Sequence, residues 1–267
     1  MLGFTRLLNF LANLIMTISV FALIVGGGYY LINRPYFNIS QVSLLPSKGN
    51  ALNHISPASI QSTINAGIDG NFFTADLNFL KEKVENLPWV RNVEINRVWP
   101  NKLVLTIEEH EAYAKWNEDM LINTWGELFS GNRDELPEDI AYPQYYGPDG
   151  SEKLVVQRSG ELATLISPLN MSIKEMYLSD RYAWRVVLDN GIELVLGRDG
   201  GAELVDPYGG QQQAINFAQN VKRFVSTWPL LLDRIEDRKI SKIDFRYTKG
   251  FAITFTPEII PEETDKK

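Results

Sequence analysis

Along this chain the spacing of apolar side chains changes period, and each change marks an element. From Pro88 to Glu109, Val93 and Ile95 alternate with Glu94 and Asn96, and Leu103, Leu105 and Ile107 alternate with Lys102, Val104, Thr106 and Glu108. A period of two on both arms predicts two half-buried strands, with Trp99-Pro100-Asn101 as the turn between them. Upstream, Asp76–Leu87 has its apolar residues at helical spacing, with Asp76 placed to cap that helix and Pro88 to stop it. Ser56-Pro57 predicts another helix start, running to about Ala66. Phe37–Leu45 reads as a first strand and Pro46–Ile55 as loop, which gives β-α-α-β-β over 37–109.

The start of the chain has no such periodicity. No charged residue lies between Arg6 and Arg34, and Leu14–Ile32 is apolar almost throughout. That length matches the roughly 20 residues a bilayer-spanning helix needs. Tyr29 and Tyr30 stand at its far end, where interfacial aromatics belong. The expectation is a short tail over 1–6, a transmembrane helix over 7–32, and the bulk of the chain translocated. A cleaved signal peptide is the alternative; it would have a shorter apolar stretch leading to a small-x-small site.

The second half reads as a sheet-rich domain over 110–256. Glu111–Thr124 gives a strand or hairpin, and Trp125–Phe129 a turn and strand. Asp134–Gly150, with three prolines, reads as loop, and Ser151–Ser167 as a helix flawed by Gly160. Met171–Leu178, Tyr182–Leu188 and Ile192–Leu196 are strands, the last two joined by the hairpin signal Asp189-Asn190-Gly191. Gln211–Asp233 is a helix with Ile215, Phe217, Ala218, Val221, Phe224 and Val225 on one face, which Pro229 should bend or end. Ile240–Tyr247 and Phe251–Phe255 form a terminal hairpin, and 257–267 is a charged, proline-containing tail. The fold class is α+β: an apolar N-terminal helix, a β-α-α-β-β module, then a mainly antiparallel domain with two helices.

Composition narrows the function. Of 267 residues 45% are hydrophobic, so a substantial core is available, and with no cysteine there is neither disulfide nor thiolate metal site. A net charge of −7 without a Lys/Arg cluster argues against nucleic acid as a partner. The two histidines, His54 and His110, lie in different segments without ligand spacing. Glu108 and Glu109 are adjacent on a strand and point to opposite faces, so they cannot act on one substrate atom together. Gly197-Arg198-Asp199-Gly200-Gly201 lacks the P-loop lysine and reads as loop. No catalytic, cofactor or metal site emerges, and no small-molecule substrate. The last strand remains: it lacks charged gatekeepers and can take another strand if it lies at an edge, or be an ordinary interior strand.

Three segments carry a family resemblance: Gly70-Asn71-Phe72-Phe73 before the second helix, Leu87-Pro88-Trp89-Val90 into the hairpin, and Arg97-Val98-Trp99-Pro100-Asn101-Lys102-Leu103 at its turn. With the β-α-α-β-β order they resemble the polypeptide-transport-associated (POTRA) domain, and with the single N-terminal anchor the whole chain is similar to the FtsQ/DivIB family of bacterial cell-division proteins. The resemblance implies a non-catalytic, single-pass type II scaffold of the inner membrane. Its bulk would lie in the periplasm at the division septum, where it would hold the FtsB–FtsL complex and link it to septal peptidoglycan synthesis among other divisome membrane proteins. It also implies a partner-binding set of Arg198, Tyr247, Lys249, Gly250, Phe251 and Phe255, to which the strand reading adds Ile253; Lys249 and Phe255 stand where the family can carry serine and tryptophan. On this reading Phe251→Asp or Ile253→Pro abolishes partner binding with the fold intact. Two other readings stay open: a POTRA-containing chaperone-like component of protein export or outer-membrane assembly, and an anchored cell-wall hydrolase, for which no acid–base or metal site is visible.

Overall fold

The computed structural model describes residues 2–47, 51–198, 217–235, 238–247 and 250–257, and it divides into two compact units, Met1–His110 and Glu111–Lys267.

The first unit opens with helix α1 (Leu2–Ile32). Its stretch Asn9–Ile32 is long and apolar enough to cross a membrane, and none of it is buried in the protein. At 1.5 Å per residue such a stretch spans roughly 36 Å, longer than a hydrocarbon core of about 30 Å, so its end reaches the headgroup layer. A 3₁₀ turn, Pro35–Phe37, follows, and strand β1 covers Gln41–Pro46. The first strand therefore starts later than its apolar pattern suggests: proline at 35 fixes a turn, and Phe37 is drawn into a ring cluster with Tyr36 and Phe73.

Helix α2 (Pro57–Gly67) begins where expected, with the Ser56 hydroxyl accepting from the Ser59 N–H and proline at the first position. Helix α3 (Leu77–Glu85) is capped by Asp76, whose carboxylate accepts from the Asn78 and Phe79 N–H groups. Strands β2 (Val90–Val98) and β3 (Lys102–Glu109) form the hairpin, with a cis Trp99–Pro100 peptide at its turn. The sheet order is β1-β3-β2, with β1 parallel to β3. Ile60, Ile64, Leu80 and Val84 from the helices and Val93, Leu103, Leu105 and Ile107 from the sheet are all buried.

The second unit is a nine-stranded mixed sheet ordered β12-β11-β10-β9-β8-β7-β4-β5-β6. Its strands are β4 (Ala112–Trp116), β5 (Met120–Asn123), β6 (Leu128–Phe129), β7 (Gln144–Tyr146), β8 (Ile173–Leu178), β9 (Ala183–Leu188), β10 (Glu193–Arg198), β11 (Ile240–Asp244) and β12 (Ala252–Phe255). Helices α4 (Glu152–Ile166) and α5 (Phe217–Ile235) supply Val155, Leu162, Ile166, Val221 and Phe224 to the same core as the buried sheet residues. Strand β7 lies where the sequence reads as loop. It has three residues and no alternation, and what makes it a strand is parallel pairing on both sides, to β4 and β8. Helix α5 reaches past the expected end at Asp233 to Ile235, and Pro229 within it does not end it. Leu231 packs on the core and Ile235 is buried beyond the proline, so tertiary contacts hold the final turns in place. The expected start of this helix, 211–216, lies outside the described residues.

Candidate functional site: the free edge of the large sheet

Strand β12 is the outermost strand among the described residues, paired on one side only, antiparallel to β11. The terminal hairpin forms as its alternation predicts, and the strand Ala-Ile-Thr-Phe carries no charge. Two bonds set its orientation. The Thr256 N–H donates to the Lys239 carbonyl at 2.8 Å, and the Ser241 hydroxyl donates to the Thr254 carbonyl at 3.1 Å. Even-numbered residues thus turn their backbone groups toward β11, and by the two-residue period of a strand Ile253 and Phe255 turn theirs toward the free side.

The side chains divide at right angles to that. Phe251, Ile253 and Phe255 are half-buried, while Ala252 and Thr254 are exposed. The Phe251 ring lies 5.7 Å from both Phe224 and Phe245, which are 5.4 Å from each other, and Arg238 stacks over Phe255 at 4.2 Å. These contacts change one expectation. Aspartate at 251 would place a carboxylate against two buried rings, so Phe251→Asp disturbs the core as well as the edge. Ile253→Pro removes an outward-facing N–H and leaves the β11 pairing groups in place.

Behind β12, β11 continues into Asp244, whose carboxylate accepts from the Arg246 backbone N–H at 3.0 Å and from the guanidinium at 2.6–3.1 Å. Those bonds hold the Asp244 carboxyl below the usual range despite partial burial. Strand β11 pairs in parallel with β10, and β10 ends at exposed Arg198. Just before it, Gly197 sits at φ 75° in a bulge; a Cβ there would stand 3.0 Å from Arg246 Cγ. Tyr247 is exposed and Gly250 lies immediately before the strand. The structure thus gathers Gly250, Phe251, Ile253, Phe255 and Tyr247 at the hairpin and puts Arg198 at the end of a strand next to it. Lys249 lies outside the described residues. Arg238, Ser241 and the Asp244–Arg246 pair join the edge without having stood out in the sequence. An Asp-x-Arg spacing on one strand face was the visible signal for the last; the other two carry none.

Among the described residues no group of three or more His, Cys, Asp or Glu side chains is placed to hold a metal ion. His54 stacks on Trp89 at 3.8 Å, and the Glu109 carboxylate accepts from the Asn53 and His54 backbone N–H groups at 2.9 and 2.7 Å. Glu108 pairs with Arg91 at 3.0 Å, so the two adjacent carboxylates go to different partners.

Comparison with known proteins agrees with this architecture. Residues 37–110 match the family described as "POTRA domain, FtsQ-type", and residues 112–246 match "Cell division protein FtsQ/DivIB, C-terminal". The chain is 40% identical over 252 residues to Cell division protein FtsQ of Bordetella pertussis, covering 94% of this chain and 92% of that one. It is 33% identical over 261 residues to the Burkholderia pseudomallei protein of that name, covering 98% and 97%. To the Escherichia coli K12 protein it is 28% identical over 210 residues, covering 78% and 70%. With its apolar first helix, its POTRA domain and its sheet-rich second unit, the chain belongs to the FtsQ/DivIB family of cell-division proteins and is a single-pass membrane component of the division machinery.

Proposed function

We propose that this protein is a non-catalytic scaffold of the inner membrane whose strand β12 receives a strand from the FtsB–FtsL complex and so links that complex to septal peptidoglycan synthesis. The observation that carries the reading is that, among the described residues, β12 pairs on one side only, with the Ile253 and Phe255 backbone groups turned outward. An added strand gains affinity from main-chain bonds and specificity from alternate side chains. Ala252 and Thr254, small and exposed, leave one face open to a partner, while Phe251, Ile253 and Phe255 brace the strand from the other. Arg198, Tyr247 and Lys249 join Gly250 and the strand as the contact set. In this reading residues 37–109 help place the protein at the septum, residues 110–256 hold the partner in the periplasm, and the anchor confines both to one membrane, which raises their effective concentration.

The test is titration of the full chain, held in lipid nanodiscs, with the extracytoplasmic parts of FtsB and FtsL, beside the Ile253→Pro chain. Saturable binding that weakens at least about 100-fold in the variant, a loss of about 2.7 kcal/mol, with an unchanged melting profile, is the expected result. Equal binding by both chains would remove β12 from the site. Absence of binding by the folded parent would shift weight to a chaperone-like role in export or outer-membrane assembly.

A further inference from the structure

In the first unit the loop before α3 is tied to the end of α1. Asn71 is buried, and its side-chain amide donates to the Ile32 carbonyl at 3.0 Å, satisfying one of the groups a helix end leaves open. The Phe72 N–H donates to the Phe37 carbonyl at 2.8 Å, and the Ser40 N–H to the Asn101 carbonyl at 3.0 Å. The start of β1, the start of β3 and the β2–β3 turn therefore gather beside the exit of α1. Three large aromatics stand exposed there: Tyr36 at 59%, Phe73 at 46% and Trp99 at 66%. They form one connected set, with Tyr36 6.4 Å from Trp99 and 5.2 Å from Phe37, and Phe37 5.0 Å from Phe73.

Charge divides the same way. Segments 33–40, 71–75 and 97–102 contain Arg34, Arg97 and Lys102 and no carboxylate, in a chain whose net charge is −7. Arg34 lies over the Tyr30 ring at 4.2 Å, alongside the helix end. Exposed Asp69 and Asp76 flank the second segment, but within the rim itself exposed tryptophan and tyrosine stand next to cations, which is the chemistry of a membrane–water interface.

We propose that the α1-proximal rim of the POTRA domain lies in the headgroup layer of the bilayer that α1 crosses, with Trp99, Tyr36 and Phe73 immersed and Arg34 and Lys102 facing anionic lipid. The occupant of this surface is lipid because the rim is continuous with the exit of the span and is held to it by hydrogen bonds within a few residues of Ile32. The domain is thereby fixed in height and tilt on the membrane and does not swing on a tether.

The inference rests on α1 spanning a bilayer, and the experiment separates the two. The full chain is reconstituted into phosphatidylethanolamine–phosphatidylglycerol vesicles whose acyl chains carry bromine close to the headgroup, and tryptophan fluorescence is compared with the Trp99→Phe chain. Failure of the chain to float with vesicles would count against the span itself. In chains that do float, the expected result is quenching of the parent and loss of most of that quenching in Trp99→Phe; undiminished quenching in the variant, or none in the parent, overturns the proposal. Because the chain has no cysteine, a second reading comes from single labels at Val98→Cys, on the rim, and Ser47→Cys, beyond the opposite end of β1. In vesicles the label at 98 should be shielded from aqueous iodide and the one at 47 open to it; equal access at both sites rejects the immersed rim.

Discussion

At one margin of the nine-stranded sheet β12 runs four residues, and at the other β6 runs two. The short margin is tied off. Asn123, fully buried, accepts from the Trp125 and Glu127 N–H groups at 3.0 and 2.9 Å and fixes the turn into β6. Beyond β6, Arg133 donates to the carbonyls of Trp116, Asn117 and Met120, which anchors the chain before it can extend a ladder. The β12 margin is braced from below by aromatic rings, and among the described residues no strand pairs with its outer side. The edge at β12 is twice as long as the one at β6 and carries no charge, which are the features of an edge able to accept another strand.

Phe224→Ala removes the ring that meets Phe245, Phe251 and Trp228. It should cost about 3–5 kcal/mol. Hydrogen exchange should show protection lost over α5, β11 and β12 while β4 and β5 keep theirs; uniform loss would mean that the two margins unfold as one. From the other side, Gly126→Ala strains the turn into β6. The glycine sits at φ 74°, and a Cβ would stand 2.7 Å from Lys153 Cα. A cost of about 1–3 kcal/mol is expected, with binding at β12 unchanged by titration; weakened binding would tie the margins together. The smallest effect is that of Arg246→Ala. Asp244 has a depressed pKa in the folded protein, so its contribution is present above the ordinary carboxylate pKa and is lost as pH falls through the depressed one. The variant should lose less than about 1 kcal/mol at neutral pH. Its melting temperature should converge on that of the parent in acid, and a gap independent of pH would assign the loss to packing.

What could be read in the sequence follows from how local each signal is. The helix caps at Ser56 and Asp76, the hairpin at Asp189-Asn190-Gly191, the antiparallel pairing of the last two strands and the apolar first helix each rest on neighbouring residues, and each was legible. Strand β7 was not, because nothing in Gln144-Tyr145-Tyr146 distinguishes a strand until β4 and β8, far away in sequence, come to lie on either side of it. The extent of the helix through Pro229 was legible, but what keeps its last turns helical past the proline is the core, which lies on other elements. At the candidate site the alternation of β12 identified the strand and its two faces. That the Phe251 face is the braced one depends on Phe224 and Phe245, which lie on other elements.

Among the described residues the pairing of β10 with β11 is parallel and covers Glu193–Lys242, Leu194–Ile243 and Val195–Asp244. The strand that offers the free edge is thus joined to the remaining sheet through a narrow seam. If a partner pulls on β12 while the first helix is held in its membrane, the load crosses three residue pairs and the Phe224–Phe245–Phe251 contacts before it reaches the body of the domain. Farther along that path the β7–β4 pairing holds two residue pairs, so force on the edge strand reaches the start of the domain through a series of short joints and not one continuous ladder.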